Sequence, residues 1–86
     1  MQDHADIARI VITLAAKKAD KPLEQVSEQS HFIDDLEFDS LDMMDFTMEL
    51  EEEFELSVPD EEAQKLMTVG QVINFVMSRK QLAPAK

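Results

Sequence analysis

Apolar residues recur with the period of an α-helix at both ends of the chain, and this repeat constrains the fold more than any other sequence feature. It predicts a first helix from about Asp6 to Ala19, and a last helix from Val69 to about Lys80. The apolar positions are Ile7, Ile10, Val11, Leu14 and Ala15 in the first, and Val69, Val72, Ile73, Val76 and Met77 in the last. With one glycine and little strand-like alternation, the sequence predicts an all-α fold.

Two further helices are predicted between these. The longer one begins at Asp39-Ser40 and ends near Phe54, with Asp39 as N-cap and Asp42 completing a capping box. A short helix over residues 61–66 follows it. The long connection over residues 20–39 needs anchoring by burial of Val26, Phe32, Ile33 and Leu36. The expected architecture is a small bundle of three main helices plus one short helix.

Charge is distributed very unevenly along the 86 residues, whose formal net charge is -11. Residues 34–62 hold fourteen of the nineteen acids and neither Lys nor Arg. A nucleic-acid partner is therefore not expected, because phosphate backbones attract basic residues. The chain has no cysteine, which excludes disulfides, thiolate metal sites and a cysteine nucleophile and suits the cytoplasm.

The second helix carries two apolar stripes rather than one. Phe46, Leu50 and Phe54 form the first stripe, and Leu41, Met44 and Met48 form another rotated around the helix. An acidic line runs beside it, made of Asp42, Asp45, Glu49 and Glu52. An adaptable methionine-rich stripe beside acids indicates a docking surface for a basic partner. The alternative is that both stripes belong to the core.

Ser40 is the residue best placed to carry chemistry. A serine in the first turn of a helix suits a phosphate ester, because free N–H groups and the helix dipole stabilise the added charge. A hydrolase nucleophile is not expected, since the chain lacks a G-x-S-x-G motif and has two isolated histidines, His4 and His31. No metal site is expected either, because an EF-hand loop starting at Asp34 lacks its required glycine.

Four blocks of the chain together resemble the acyl carrier protein family. They are Phe32-Ile33-Asp34-Asp35-Leu36, Asp39-Ser40-Leu41-Asp42, Leu50-Glu51-Glu52-Glu53-Phe54 and Val58-Pro59-Asp60-Glu61-Glu62-Ala63. Thr68-Val69 before the last helix fits as well, so the resemblance covers nearly the whole chain. The Asp-Ser-Leu triplet by itself is common, and the resemblance depends on all four blocks at their spacing.

The resemblance implies that Ser40, flanked by Asp39 and Leu41, is the serine that a phosphopantetheinyl transferase modifies using coenzyme A. Acyl chains would be carried as thioesters on this 4′-phosphopantetheine arm. The protein would then be a carrier for fatty-acid or related lipid biosynthesis and not an enzyme. The tip of the acyl chain would lie between the helices, near Met43, Phe46, Leu50, Val58, Ala63, Leu66 and Phe75.

The resemblance also implies partners. Fatty acid synthase or related acyl-processing enzymes would dock their basic patches on the second helix. The docking residues would be Leu41, Asp42, Met44, Asp45, Met48, Glu51 and Glu52. We expect a cytoplasmic monomer without membrane insertion, with residues 1–80 as the carrier domain and 81–86 as a frayed tail.

Three positions depart from the family pattern. Glu37 and Phe38 stand where the family usually has Gly and a small residue, and Glu49 replaces a residue that is usually small. Losing the Gly stiffens the turn. We expect Phe38 to crowd the exit of the arm or to contact a partner.

Two alternatives to a general fatty-acid carrier stay open. One is a specialised carrier for lipid A, polyketide or peptide synthesis. The other is an acidic helical adaptor without a prosthetic group, which would bind a basic protein through the second helix.

The acidic stretch also predicts how stability responds to cations. Repulsion among the carboxylates should lower stability at neutral pH and low salt, so Mg²⁺ or Ca²⁺ should raise the melting temperature. Thermal unfolding followed by circular dichroism, with sodium chloride at matched ionic strength as the control, measures this. A melting temperature that responds to neither cation would contradict the prediction.

Overall fold

Four α-helices account for most of residues 4–82, which are the residues described by this computed structural model. They are α1 (His4–Ala19), α2 (Ser40–Phe54), α3 (Asp60–Ala63) and α4 (Val69–Leu82). A 3-10 turn at Leu23–Gln25 lies in the long connection between α1 and α2. The predicted all-α bundle of three main helices and one short helix is confirmed.

The ends of the helices differ from the predicted ones by a few residues. Helix α4 continues to Leu82, two residues into the predicted tail, while the rest of that tail lies outside the described residues. Helix α3 ends before Leu66 because the chain tightens: the N–H groups of Lys65 and Leu66 bond to carbonyls three residues back, at 3.0 and 3.1 Å.

The core lies where α1 packs on α4 and on α2. The predicted stripes of α1 and α4 supply much of it, since Ile7, Val11, Val72 and Val76 are fully buried. Helix α2 contributes its first stripe, of which Phe46 is fully buried. This burial fixes which side of α2 is left for solvent.

The long connection is anchored by three of the four predicted side chains. Val26, Phe32 and Leu36 are buried, but Ile33 is 61% exposed, so its predicted burial is wrong. The N–H of Phe32 donates to the Met67 carbonyl at 3.0 Å, which directs the Phe32 ring into the core. Ile33 follows directly in the chain and is left on the outer side.

None of the helices within residues 4–82 combines the length and the apolar character needed to cross a bilayer.

Gly70 lies against the long connection, and this contact leaves no room for a side chain. Its N–H donates to the Glu28 carbonyl at 2.7 Å, and a Cβ on Gly70 would lie 2.9 Å from that oxygen. Gly70→Ala should therefore destabilise the fold by about 1–2 kcal/mol, because the connection must shift. Urea unfolding measures the change.

Asn74→Ala, on the exposed side of the same helix, is the matched control. It should leave stability unchanged or slightly higher, because Ala favours helix and nothing lies in its way. A Gly70→Ala protein as stable as Asn74→Ala would contradict the close contact.

Candidate functional site

Ser40 is the first residue of α2, and its position is fixed by the residue before it. The N–H of Asp42 donates to the Asp39 carboxylate at 2.9 Å, and the N–H of Asp39 donates to the Asp42 carboxylate at 3.1 Å. The predicted capping box is therefore confirmed. It leaves Ser40 exposed at the opening turn of a helix of 15 residues.

Phe38 faces the core, so the expectation that it meets the arm or a partner is wrong. It is 4% exposed, and its ring centroid lies 5.4 Å from that of Phe32 and 5.9 Å from that of Phe46. Phe32 and Phe46 lie 5.1 Å apart. We call Phe32, Phe38 and Phe46 the phenylalanine cluster. Its burial ties the chain leading into Ser40 to the bundle.

Glu37 adopts the left-handed backbone region, with φ of 60°. An L-residue there is disfavoured because its Cβ approaches the backbone, whereas glycine has no such conflict. The departure from Gly at this position therefore places a strained residue three positions before Ser40. The burial of Phe38 directly after it offsets that strain.

A groove of about 560 Å³ opens beside Ser40, between the 31–34 segment, the start of α2 and the 60–67 segment. We call it the Ser40 groove. Its apolar lining comes from Phe32, Ile33, Met43, Met44, Ala63, Leu66 and Met67. Carboxylates of Asp34, Asp39 and Asp60 also line it, together with His31, Thr47 and Gln64.

Three of the seven residues predicted to line an acyl pocket line the Ser40 groove, and four do not. Met43, Ala63 and Leu66 line the Ser40 groove. The lining of that groove does not include Phe46, Leu50, Val58 or Phe75. The first three of these are buried, and the half-buried Phe75 ring has the Arg79 guanidinium 4.9 Å from its centroid. Their contact with an acyl chain stays a prediction.

Sequence reasoning missed the groove residues that come from the loops. Ile33 was expected in the core, and Met67 had no predicted role, yet both line the groove and are more than half exposed. No local pattern could place them there, because the groove joins segments about thirty residues apart in the chain. Thr47 of α2 also lines the groove, and its hydroxyl between two apolar stripes was the one sequence signal of a polar position there.

The two stripes of α2 lie in different environments. Leu41, Met44 and Met48 are 69%, 59% and 54% exposed, whereas the stripe of Phe46, Leu50 and Phe54 is buried. The alternative that both stripes belong to the core is therefore wrong. An exposed apolar row beside acids has the composition of a contact surface.

The acids of α2 have different partners. Lys18 of α1 lies 3.7 Å from the Asp45 carboxylate and 3.6 Å from that of Glu49. Glu51 accepts a hydrogen bond of 2.7 Å from the N–H of Val58, which holds the loop after α2. Asp42 belongs to the capping box. Of the predicted docking acids, exposed Glu52 is therefore placed best to meet a partner.

The opening turn of α2 fits a phosphate ester on Ser40. Asp39 accepts from the N–H groups of Asp42 and Met43, while those of Ser40 and Leu41 have no hydrogen-bond acceptor among residues 4–82. Two free N–H donors at the positive end of a helix can hold phosphate oxygens. Within the same residues, no group of three or more potential metal ligands is present.

The chain is similar to a known family and to known proteins. The sequence profile of the family described as "Phosphopantetheine attachment site" matches residues 9–76. The acyl carrier protein of Wolinella succinogenes is similar to this chain, with 47% identity over 57 residues. The aligned region covers 66% of this chain and 75% of that protein. The matched span of the family profile includes Ser40.

The capping box generates a prediction about the start of α2. Asp39→Ala should lower stability by about 1 kcal/mol, because the Asp42 N–H loses its acceptor. Asp39→Asn is the control, since an amide oxygen caps about as well as a carboxylate. Urea unfolding of both variants measures the difference, and equal stabilities would contradict the role given to the cap.

Proposed function

The chain belongs to the acyl carrier protein family, and from this premise we propose that it carries acyl chains as thioesters on a 4′-phosphopantetheine arm attached to Ser40. Phosphopantetheine is the group that is attached covalently to members of this family. We further propose that the cargo serves fatty-acid or related lipid biosynthesis. Residues 1–80 form the carrier domain in this proposal.

The choice of Ser40 is supported by comparison with the other four serines. Ser27 and Ser30 accept backbone hydrogen bonds within one turn, and Ser30 is buried. Ser57 lies in the loop before α3, and Ser78 lies near the end of α4. Ser40 combines an exposed side chain, a helix N-terminus and a position on the lining of an apolar groove. That combination is the observation on which the proposal depends.

The arm supplies a thiol that forms the thioester with the cargo, and the chain's own residues would shelter what is attached to it. The Ser40 groove starts at the attachment residue and continues over Met43, Ala63 and Leu66. Burying an apolar chain there is favourable by about 25 cal/mol per Å² of apolar surface removed from water. The groove therefore supports an acyl cargo over a polar peptidyl one.

Docking on α2 would deliver this cargo to partner enzymes. Leu41, Met44 and Met48 would supply apolar contact, while Glu52 and the neighbouring acids would attract basic patches. We propose the phosphopantetheinyl transferase and acyl-processing enzymes such as fatty acid synthase as these partners. Repulsion between two acidic faces supports a monomer, and we propose the cytoplasm as its location.

The alternatives differ in how they fit the family. An adaptor without a prosthetic group lacks support, because the match is to a phosphopantetheine attachment site. A carrier specialised for lipid A, polyketide or peptide synthesis shares the attachment chemistry with the general carrier. Measuring which ketosynthase elongates the acyl chain on this protein would distinguish these pathways.

The attachment site can be tested by intact mass. Incubation with coenzyme A and a phosphopantetheinyl transferase should add one arm to the protein, and Ser40→Ala should abolish the gain because the accepting hydroxyl is lost. Ser57→Ala is the control, as an exposed serine outside a helix N-terminus, and should gain the arm in full. A gain by Ser40→Ala, or none by the unaltered protein with several transferases, would refute the proposal.

A further inference from the structure

Phe32 of the phenylalanine cluster lines the Ser40 groove, and we infer that the cluster limits the length of acyl chain that the protein can shelter. This inference rests on the proposed attachment at Ser40. It assigns Phe32, Phe38 and Phe46 as residues that determine chain-length specificity. Short and medium saturated chains are the cargo class that the groove would cover completely.

Phe32 is the wall between the groove and the core. It contributes to the groove lining, yet the side chain is 1% exposed, so only a small part of the ring faces the groove. Phe46 and Phe38 support the ring from behind, with centroids 5.1 and 5.4 Å away. An acyl chain that reached this wall could go further only by separating rings that pack against one another.

The space beyond the wall is already filled. Leu50 and Phe54 follow Phe46 along the same side of α2, and these side chains are at most 1% exposed. Ile7 and Val11 of α1 are fully buried in the same core. A chain entering this region would have to expand a close-packed core, whereas a chain within the groove displaces water.

Part of the groove is open to solvent. Ile33, Met44 and Met67 line it and are more than half exposed. Carbon atoms that do not fit in front of Phe32 would therefore lie over these side chains, in contact with solvent. Shelter of the thioester should increase with chain length until the groove is filled and then stop increasing.

A series of acylated proteins tests this limit. The transferase would load the protein from coenzyme A thioesters of saturated acids, from butanoyl to hexadecanoyl, and intact mass would confirm each product. The rate at which hydroxylamine cleaves each thioester measures its exposure. We expect the rate to fall with chain length and to reach a plateau before hexadecanoyl. A rate that keeps falling through hexadecanoyl would overturn the inference.

Phe46→Leu should move the plateau to a longer chain by at least one two-carbon unit, because the smaller side chain leaves space behind Phe32. Phe38→Leu, whose ring also supports Phe32, is a second variant that should move it in the same direction. Phe54→Leu removes a ring from the same buried stripe outside the cluster and should leave the plateau in place. Circular dichroism of each variant checks that the helices form.

The outcomes separate this inference from the proposed function. Failure to load any arm counts against attachment at Ser40. Normal loading with a plateau that is unchanged in the folded Phe46→Leu and Phe38→Leu proteins counts against the phenylalanine cluster as the limit. A shift in Phe54→Leu equal to that in Phe46→Leu would also overturn the assignment, because the core in general would then set the length.

Discussion

The reciprocal hydrogen bonds between Asp39 and Asp42 determine where α2 begins, and most of the site depends on that point. Starting the helix at Ser40 exposes this residue and its N–H group. Burial of the first stripe sets how the helix is turned, since side chains repeat every 3.6 residues along it. Phe46 is thereby buried while Met44 faces solvent. The capping box and the buried stripe together place Ser40 and the second stripe at the surface.

Features that depend on local sequence could be predicted, and features that depend on distant contacts could not. The capping box and the apolar stripes involve residues within a few positions of each other, and the sequence identified both. The direction of Ile33 depends on the pairing of the 31–32 segment with Met67 and Thr68, which lie far along the chain. The Ser40 groove needs three separate segments to meet, and no periodic pattern contains that information.

The acidic side chains of α2 differ in the groups that they contact. Asp42 and Glu51 bind backbone N–H groups, so these two carboxylates hold the helix start and the following loop. Lys18 approaches Asp45 and Glu49 at 3.7 and 3.6 Å and reduces repulsion on that side. Such exposed pairs contribute at most about 1 kcal/mol each. Most of the repulsion therefore remains, and a basic surface that docks on α2 would relieve it.

The segment leading into Ser40 shows how strain and burial are balanced next to the site. Glu37 in the left-handed region costs about 1–2 kcal/mol relative to the common backbone conformations. Burying the Phe38 ring contributes about 1.5–3 kcal/mol, and its packing on Phe32 and Phe46 adds to that. The free energy gained by burying the Phe38 ring exceeds the strain at Glu37. The backbone can therefore keep this conformation without a glycine at position 37. The Phe38 ring also packs against Phe32, which lines the Ser40 groove, so the departures at Glu37 and Phe38 would act on the proposed cargo site through that ring.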